Sequence, residues 1–217
     1  NKIKSVKFPS HVQIEKQFQT HNNDNSYHNI GKNIKKGFDY LIDQGCDYVM
    51  NLDDDMLVKK DFILKLMDLA KEVDIKNNGG FITGFLETSN VNAGKKDFYE
   101  KNRDLYDKLK SNKYIMRSCG GGCNHLMTKE SYLNIYKPGL IEAIENNKKW
   151  DVVVGSHIGK LRKNNDTHGI WYSPASGVMQ HLGFNGLNKF VWDFNYNTDG
   201  DDKRIFEELN IDNKKKF

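Results

Sequence analysis

The feature that most constrains this chain is a short apolar run that ends abruptly in three consecutive carboxylates. Residues 48–52 read Tyr-Val-Met-Asn-Leu, and Asp53-Asp54-Asp55 follows directly. The run predicts a buried strand, and three adjacent carboxylates repel one another unless a cation neutralises them. Ligands of open α/β sheets gather beyond the carboxyl ends of the strands, and Mg²⁺ and Mn²⁺ prefer such oxygen donors. The alternative is a solvated acidic turn that caps the following helix.

Helical and strand-like segments alternate along the chain, and this order predicts an α/β sandwich. Helices are predicted where apolar residues recur with helical spacing: at 34–42 with Gly45 as the terminating glycine, after Asp61, at 128–147 with an interruption at Pro138-Gly139, and at 150–162. Strands are predicted where short apolar runs occur: at 3–8, 12–18, 48–52, 80–85, 114–116, 170–172 and 178–181. Residues 20–28 are polar and predict a loop.

Length and charge exclude several classes of protein. A chain of 217 residues suits one domain or at most two small ones. Lys and Arg number 33 against 29 Asp and Glu, and the chain lacks the basic stripe that nucleic-acid binding requires, so no nucleic-acid partner is expected. No apolar run approaches the roughly 20 residues that cross a bilayer. No transmembrane segment is therefore predicted, and a soluble, cytoplasmic protein is favoured.

Two segments of the chain resemble a known family of enzymes. The first reads Gly31-x-Asn33-Ile34-x-x-Gly37-Phe38 and, after Gly45-Cys46-Asp47, the strand 48–52 with its acidic triplet. It is similar to the helix, strand and DxD unit of nucleotide-sugar-dependent glycosyltransferases of the GT-A fold, most strongly over residues 29–66. The second, Trp150-Asp151 followed by Ser173-Pro174 and Gln180-His181-Leu182-Gly183, resembles the N-acetylglucosaminyltransferase-type members. The resemblance implies one domain over residues 1–217, with a GT-A-like (Rossmann-like) mixed sheet flanked by helices.

The resemblance also implies which residues hold the donor, a nucleotide-diphosphate sugar, with a UDP-sugar favoured. Asp53 and Asp54 would approach the ribose or help to position a metal ion. Asp55 would bind Mn²⁺ or Mg²⁺ directly, with Asp53 beside it, and bridge to the diphosphate. His181 would be a further metal ligand or a diphosphate contact, and Asn33 would lie on the donor side.

A second group of residues is implied for the reacting end of the donor and for the acceptor. Asp151 would be the catalytic base, and the loop from Gly120 to Asn124, with Gly121 and Gly122, would form part of the sugar-binding wall. The chemistry agrees, because a metal ion stabilises the charge that develops on the leaving diphosphate. An acceptor hydroxyl has a high pKa, so a carboxylate should take its proton as it attacks. Direct attack from the opposite face predicts inversion of the anomeric carbon.

The N-terminal part departs from the family pattern. Only 52 residues precede Asp53, so the usual first nucleotide-binding unit is expected to be shortened or absent. Thr20, His21 and Asn22 follow the predicted strand at 12–18, where a loop that contacts the base would fall. They are therefore the candidate nucleotide-binding residues of this region.

Each candidate residue also has a purely structural interpretation. Asp151 suits the start of a helix, His181 a hydrogen-bonded core histidine, and the glycine triplet an ordinary turn. The remaining histidines match no motif, and each is interpreted as a surface or packing residue: His21, His28, His125, His157 and His168.

The sequence therefore predicts a metal-dependent glycosyltransferase that moves a hexosyl or N-acetylhexosaminyl group to a hydroxyl acceptor, such as a glycan. One alternative is a nucleotidyltransferase that forms a sugar nucleotide, although the Gly-rich basic loop of such enzymes is missing near the N-terminus. The other is a non-catalytic GT-A-like module that binds carbohydrate.

Overall fold

The structure is a computed structural model that describes residues 26–53, 56–84, 103, 109, 111–118, 120–122, 124–164, 166–175 and 178–181. The side chains of residues 26–28, 57, 180 and 181 are not described. The strands predicted at 3–8 and 12–18, and the candidate loop with Thr20, His21 and Asn22, lie outside these residues. So do Asp54 and Asp55.

Helices and strands alternate through most of the described chain. The helices are α1 (Ser26–Asp43), α2 (Phe62–Glu72), α3 (Ile75–Asn78), α4 (Lys129–Ser131), α5 (Lys137–Glu145) and α6 (Trp150–Lys163), with a π-helical turn at Tyr132–Tyr136 and a 3₁₀ turn at Thr167–Gly169. The strands are β1 (Tyr48–Leu52), β2 (Met56–Val58), β3 (Phe81–Ile82), β4 (Tyr114–Arg117), β5 (Asn124–Thr128), β6 (Trp171–Pro174) and β7 (Met179–His181). In the part of the chain that is described, no helix combines the length and apolarity needed to cross a membrane.

Five of the strands form one mixed sheet in the order β1-β5-β3-β6-β4. The pair β3 and β6 is parallel, and the other neighbours are antiparallel. Strands β2 and β7 form a separate antiparallel pair. The predicted α/β class is thus confirmed as a mixed five-stranded sheet with helices in a single domain.

Helices cover both faces of the sheet. Successive side chains on the central strands point to opposite sides, so each strand packs against helices on both faces. Phe81, Met127 and Trp171 pack with helices α1, α5 and α6, whereas the next residue along β3 and β6, Ile82 and Tyr172, packs with helix α2. Strand β5 is buried along its whole length. This three-layer arrangement leaves the ends of the strands as the accessible edges of the sheet.

Helix α1 and its terminating glycine agree with the sequence prediction. Phe38 and Ile42 are buried on the face that meets the sheet. Gly45 has a φ of +85°, the left-handed conformation that glycine adopts without strain. Its N–H donates to the Ile42 carbonyl at 3.0 Å, and the Cys46 N–H donates to the Leu41 carbonyl at 3.1 Å. These bonds close the last turn of the helix and direct the chain into β1.

The interruption predicted at Pro138-Gly139 is wrong, because the chain stays helical through both residues. Pro138 lies in the first turn of α5, where the missing N–H costs little, and the π-helical turn directly before it changes the hydrogen-bond register. Gly139 lies against α6, and a Cβ there would be 3.0 Å from the Cα of Val154. The dipeptide therefore allows two helices to approach closely.

Three other features differ from the sequence prediction. Strand β5 was not predicted, because it opens with the polar pair Asn124-His125 and lacks an alternating pattern. Strand β2 was not predicted either, since three residues after an acidic triplet carry too little pattern to identify. Helix α1 begins at Ser26, so the predicted loop at 20–28 extends too far at its C-terminal end.

A carboxylate on α1 ties this helix to the π-helical turn. Asp39 lies 2.8 Å from the ammonium groups of both Lys35 and Lys137, and the Tyr132 hydroxyl donates to it at 2.8 Å. Partial burial raises the pKa of Asp39, but the hydrogen bonds from Lys137, Lys35 and Tyr132 outweigh it, and the net pKa is below the ordinary value. The folded state therefore favours the ionised carboxylate.

Replacing Asp39 with Asn should lower the free energy of unfolding at pH 7 by about 1 kcal/mol, because two ion pairs are lost from a partly exposed position. The pKa of Asp39 is lower in the folded state, so the stabilisation is complete above the unfolded-state pKa of about 3.9. It is lost as the pH falls through the folded-state pKa. Urea unfolding at several pH values measures this. Asp43→Asn, an exposed change on the same helix, is the control and should change stability by less than about 0.5 kcal/mol.

Candidate functional site

The carboxyl end of β1 is held by two side-chain amides. Asn51 accepts a hydrogen bond from the His125 N–H through Oδ1 at 2.9 Å, and its Nδ2 donates to the Gly122 carbonyl at 3.2 Å. Asn124 donates from Nδ2 to the Asn51 carbonyl at 2.8 Å and accepts from the Gly84 N–H at 2.9 Å. Asn51 and Asn124 thus join the ends of β1, β5 and β3 to the glycine loop.

Asp53 is the first residue after β1, and it is half-buried at this edge of the sheet. Asn51 lies two residues before it and fixes the strand end against the loop. The strand end that carries Asp53 is therefore hydrogen-bonded to the glycine loop.

The glycine loop is bounded by an aromatic ring on one side and by a carboxylate on the other. Gly120 is buried, and a Cβ at this position would overlap the indole ring of Trp171. Gly122 lies against Asp151, and a Cβ there would be 3.5 Å from Oδ2 and 3.6 Å from Cβ of that aspartate. Gly121 has a φ of +75°, which is left-handed and favours glycine. Glycine thus allows a close approach at Gly120 and a left-handed backbone at Gly121, whereas a Cβ at Gly122 would make only ordinary contacts with Asp151.

Asp151 lies in the first turn of α6, as its structural interpretation predicts. It is half-buried, and its carboxylate makes no hydrogen bond or ion pair with any residue that the structure describes. Trp150, the first residue of α6, anchors the helix. It is buried, and a Cβ added at Gly31 of α1 would lie 3.3 Å from the Trp150 Cβ. The fold therefore presents this carboxylate beside the loop.

Behind the loop lies a buried histidine within an aromatic cluster. The His125 ring centroid is 4.4 Å from that of Trp171, 5.6 Å from that of Tyr136 and 5.7 Å from that of Trp150. Burial lowers the pKa of His125 to about 4, and the charge of Arg117 acts in the same direction, against the hydrogen bond to the Gly121 carbonyl. His125 is therefore neutral at neutral pH.

Two candidate carboxylates lie close enough to the same buried hydroxyl to affect it. Burial raises the pKa of Tyr136 well above its ordinary value, and the charges of Asp53 and Asp151 raise it further. Asp151 lies against Gly122, and the Gly122 carbonyl accepts a hydrogen bond from Asn51, two residues before Asp53. The fold thus brings the end of β1 and the start of α6 to the same loop.

The backbone of His181 lies beside the acidic triplet. In the pairing of β2 with β7, His181 is opposite Met56, the residue that directly follows Asp55. Paired residues in antiparallel strands have Cα atoms about 4.5–5.5 Å apart. The chain at His181 therefore passes within one residue of the triplet, although its side chain is not described.

The other predicted site residues are less well placed or lie outside the description. Asn33 is half-buried on α1 and lies about 200° around the helix from Gly31, which contacts Trp150; its role on the donor side stays a prediction. Among the described side chains, no three potential metal ligands lie together. The side chains of Asp54, Asp55 and His181 lie outside the description, as do residues Thr20, His21 and Asn22.

Sequence reasoning missed the residues that hold the site together. Asn51 carried a usable signal, because a polar side chain inside a buried strand must find hydrogen-bond partners. His125 was interpreted as a surface or packing residue, and Asn124 was placed only in the loop wall. Asn124 and His125 open β5, a strand that was not predicted, so nothing in the sequence indicated that they are buried.

A comparison of the chain with models of known protein families and with curated proteins finds no match.

The two ends of the glycine triplet should respond differently to the same substitution. Gly120→Ala should lower the free energy of unfolding by about 1–3 kcal/mol, because the added methyl group overlaps the buried Trp171 ring. Gly122→Ala should change it by less than about 0.5 kcal/mol, because its Cβ makes only ordinary contacts with Asp151. Urea unfolding of the matched pair measures the difference. Equal destabilisation by the two changes would contradict the described packing of the loop.

Proposed function

We propose that this chain is a metal-dependent glycosyltransferase with a GT-A-like fold. It transfers a sugar from a nucleotide diphosphate, with UDP favoured, to a hydroxyl acceptor such as a glycan, with inversion of the anomeric carbon. The sugar is a hexosyl or N-acetylhexosaminyl group. The resemblance of the two sequence segments supports this proposal.

The observation that carries the proposal is the convergence of Asp53, the Gly121–Gly122 loop and Asp151. The three come from the end of β1, from the connection between β4 and β5, and from the start of α6. A transfer reaction of this kind requires a carboxylate at the leaving group's metal site and another carboxylate on the acceptor side. The end of β1, which carries Asp53, and Asp151 both adjoin the glycine loop, and this arrangement supports that division of roles.

The donor set beside β1 suits a hard divalent cation. Asp53 and Asp55 would hold Mn²⁺ or Mg²⁺, for which carboxylate oxygens are preferred donors, and His181 would contribute an imidazole nitrogen. The pairing of His181 with Met56 supports this set. When bound, the cation supplies Lewis-acid stabilisation of the charge on the leaving diphosphate. Asp54 would contact the ribose.

Asp151 suits the role of the general base. Its carboxylate is half-buried in the first turn of α6 and lies beside the glycine loop, where an acceptor hydroxyl would approach it. Gly122 leaves space beside it that a larger side chain would fill. As the hydroxyl oxygen attacks the anomeric carbon, its proton passes to Asp151 and the bond to the diphosphate breaks.

Replacing Asp55 with Ala should abolish transfer from the nucleotide sugar, because the cation loses its principal carboxylate. EDTA should have the same effect on the wild-type protein, and added Mn²⁺ should reverse it. The release of the nucleoside diphosphate measures turnover.

Asp68→Ala is the matched control, since Asp68 is an exposed aspartate on α2 whose side chain is 77% accessible. It should turn over like the wild type. Undiminished turnover of the Asp55 variant, or of the wild type in EDTA, would exclude the metal-dependent reaction.

Replacing Asp151 with Asn keeps the size of the side chain and removes its basicity. Transfer to the acceptor should fall by about 10²-fold or more, the usual scale of general-base catalysis. Donor and metal affinity should stay nearly constant, because Asp151 does not contact the diphosphate in this proposal. Steady-state kinetics and donor binding measure the two effects.

The stereochemistry gives an independent test of the same role. Direct attack by a base-activated hydroxyl inverts the anomeric carbon, and NMR of the product's anomeric proton determines its configuration. Retention, or normal transfer by Asp151→Asn, would leave Asp151 as a residue that only begins a helix.

A further inference from the structure

Three side chains from three different elements bind backbone carbonyls of the segment that contains the glycine loop. Arg162 of α6 donates from Nη1 to the Ser118 carbonyl at 2.9 Å. His125 of β5 bonds the Gly121 carbonyl through Nε2, and Asn51 of β1 donates to the Gly122 carbonyl at 3.2 Å. The loop is therefore fixed at its entry, its centre and its exit.

The contact at the centre has a defined direction. A carbonyl can only accept, so Nε2 of the neutral His125 carries the proton and donates to Gly121. Nδ1 is then the acceptor, and the Tyr136 hydroxyl donates to it across 2.7 Å. A tyrosine that bonds one ring nitrogen thus fixes which nitrogen can bind the loop.

The π-helical turn explains how Tyr136 reaches this position. The turn spans Tyr132–Tyr136, and the side chains at both of its ends are fully buried. Residues four apart occupy nearly one helix face, and the wider turn directs Tyr132 to Asp39 and Tyr136 to His125. π-Helical turns occur frequently at functional sites.

The bond to Gly121 also fixes a donor on the other side of the same peptide group. The peptide is planar and trans, so its C=O and N–H point in opposite directions. With the Gly121 carbonyl directed to His125, the Gly122 N–H points away from the buried ring. This N–H has no hydrogen-bond partner within the described chain, and it belongs to the residue that lies against Asp151.

We propose that His125 is a positioning residue, which with Tyr136 aligns the Gly121–Gly122 peptide so that its N–H binds an oxygen of the sugar or acceptor beside Asp151. The inference rests on the proposed glycosyltransferase function for the identity of that ligand. The alignment of the loop by His125 is independent of it.

Variants of His125 and Tyr136 separate the hydrogen bonds from the packing. His125→Phe keeps a ring against Trp171 but cannot donate, whereas His125→Gln keeps an N–H donor. Tyr136→Phe removes only the hydroxyl that sets the histidine tautomer. His157→Phe is the matched control, because that half-buried histidine bonds Glu142 at 2.8 Å and not the loop.

Backbone ¹⁵N relaxation at Gly121 and Gly122 tests the alignment without reference to activity. Their order parameters should fall from about 0.85, the value of rigid backbone, towards about 0.6 in His125→Phe, because the loop loses a buried bond at its centre. His125→Gln should stay closer to the wild type, Tyr136→Phe should change in the same direction as His125→Phe, and His157→Phe should not change. A folded His125→Phe protein with wild-type order parameters in the loop would overturn the proposal. If that variant does not fold, equal order parameters in His125→Gln and Tyr136→Phe would overturn it.

Kinetics with a nucleotide sugar and an acceptor test the second step. His125→Phe should lower kcat for transfer by about 10-fold or more while the donor Kd stays constant, and His125→Gln should recover part of the rate. A proportional loss of donor binding and kcat would reduce His125 to a structural residue. If the wild type transfers no sugar at all, the proposed function fails, and the relaxation measurement still decides whether His125 aligns the loop.

Discussion

The candidate site depends on two side-chain amides, that of Asn124, which is buried, and that of Asn51, which is half-buried. The Asn51 side chain bonds backbone groups of β5 and of the glycine loop. The Asn124 side chain bonds backbone groups of β1 and of the segment after β3. Buried amides are costly unless their donors and acceptors are paired, so this network permits few alternative arrangements of the strand ends. The positions of Asp53 and Gly122 follow from it.

The aromatic cluster behind the loop gives this edge of the sheet a rigid support. His125, Tyr136, Trp150 and Trp171 come from β5, the π-helical turn, α6 and β6. The His125 ring packs near the other three rings, and Tyr136 also packs near Trp150. Large aromatic side chains bury much apolar area with few rotatable bonds. The carboxylates at the edge are therefore carried by a part of the protein whose side chains have little freedom to move.

Much of the layer structure was predictable, because it follows from periodicity. The strand at 48–52 and the helices that become α1, α2 and α6 were identified from apolar spacing, which depends only on which residues face the sheet. Strand β5 was not predictable, since Asn124 and His125 are buried through hydrogen bonds that form only when distant segments meet. The continuity through Pro138 depends in the same way on a π-helical turn that has no sequence signature.

The sequence allowed candidate residues of the site to be named, but it did not show how they are arranged in space. Asp53, Gly122 and Asp151 could be named from the sequence, but their proximity depends on the positions of β5 and α6. Asn33 was named on the donor side, and that role stays a prediction. Residues that support the site, His125 above all, could not be distinguished from ordinary core residues without their partners.

The central claim is that this edge of the sheet binds a nucleotide-diphosphate sugar through a divalent cation. Calorimetric titration of a panel of nucleotide sugars, in Mn²⁺ and again in EDTA, tests it most directly. One nucleotide sugar should bind saturably in Mn²⁺, and that binding should be lost in EDTA. Binding of a free sugar with the same affinity in both conditions would contradict it and would indicate a carbohydrate-binding module.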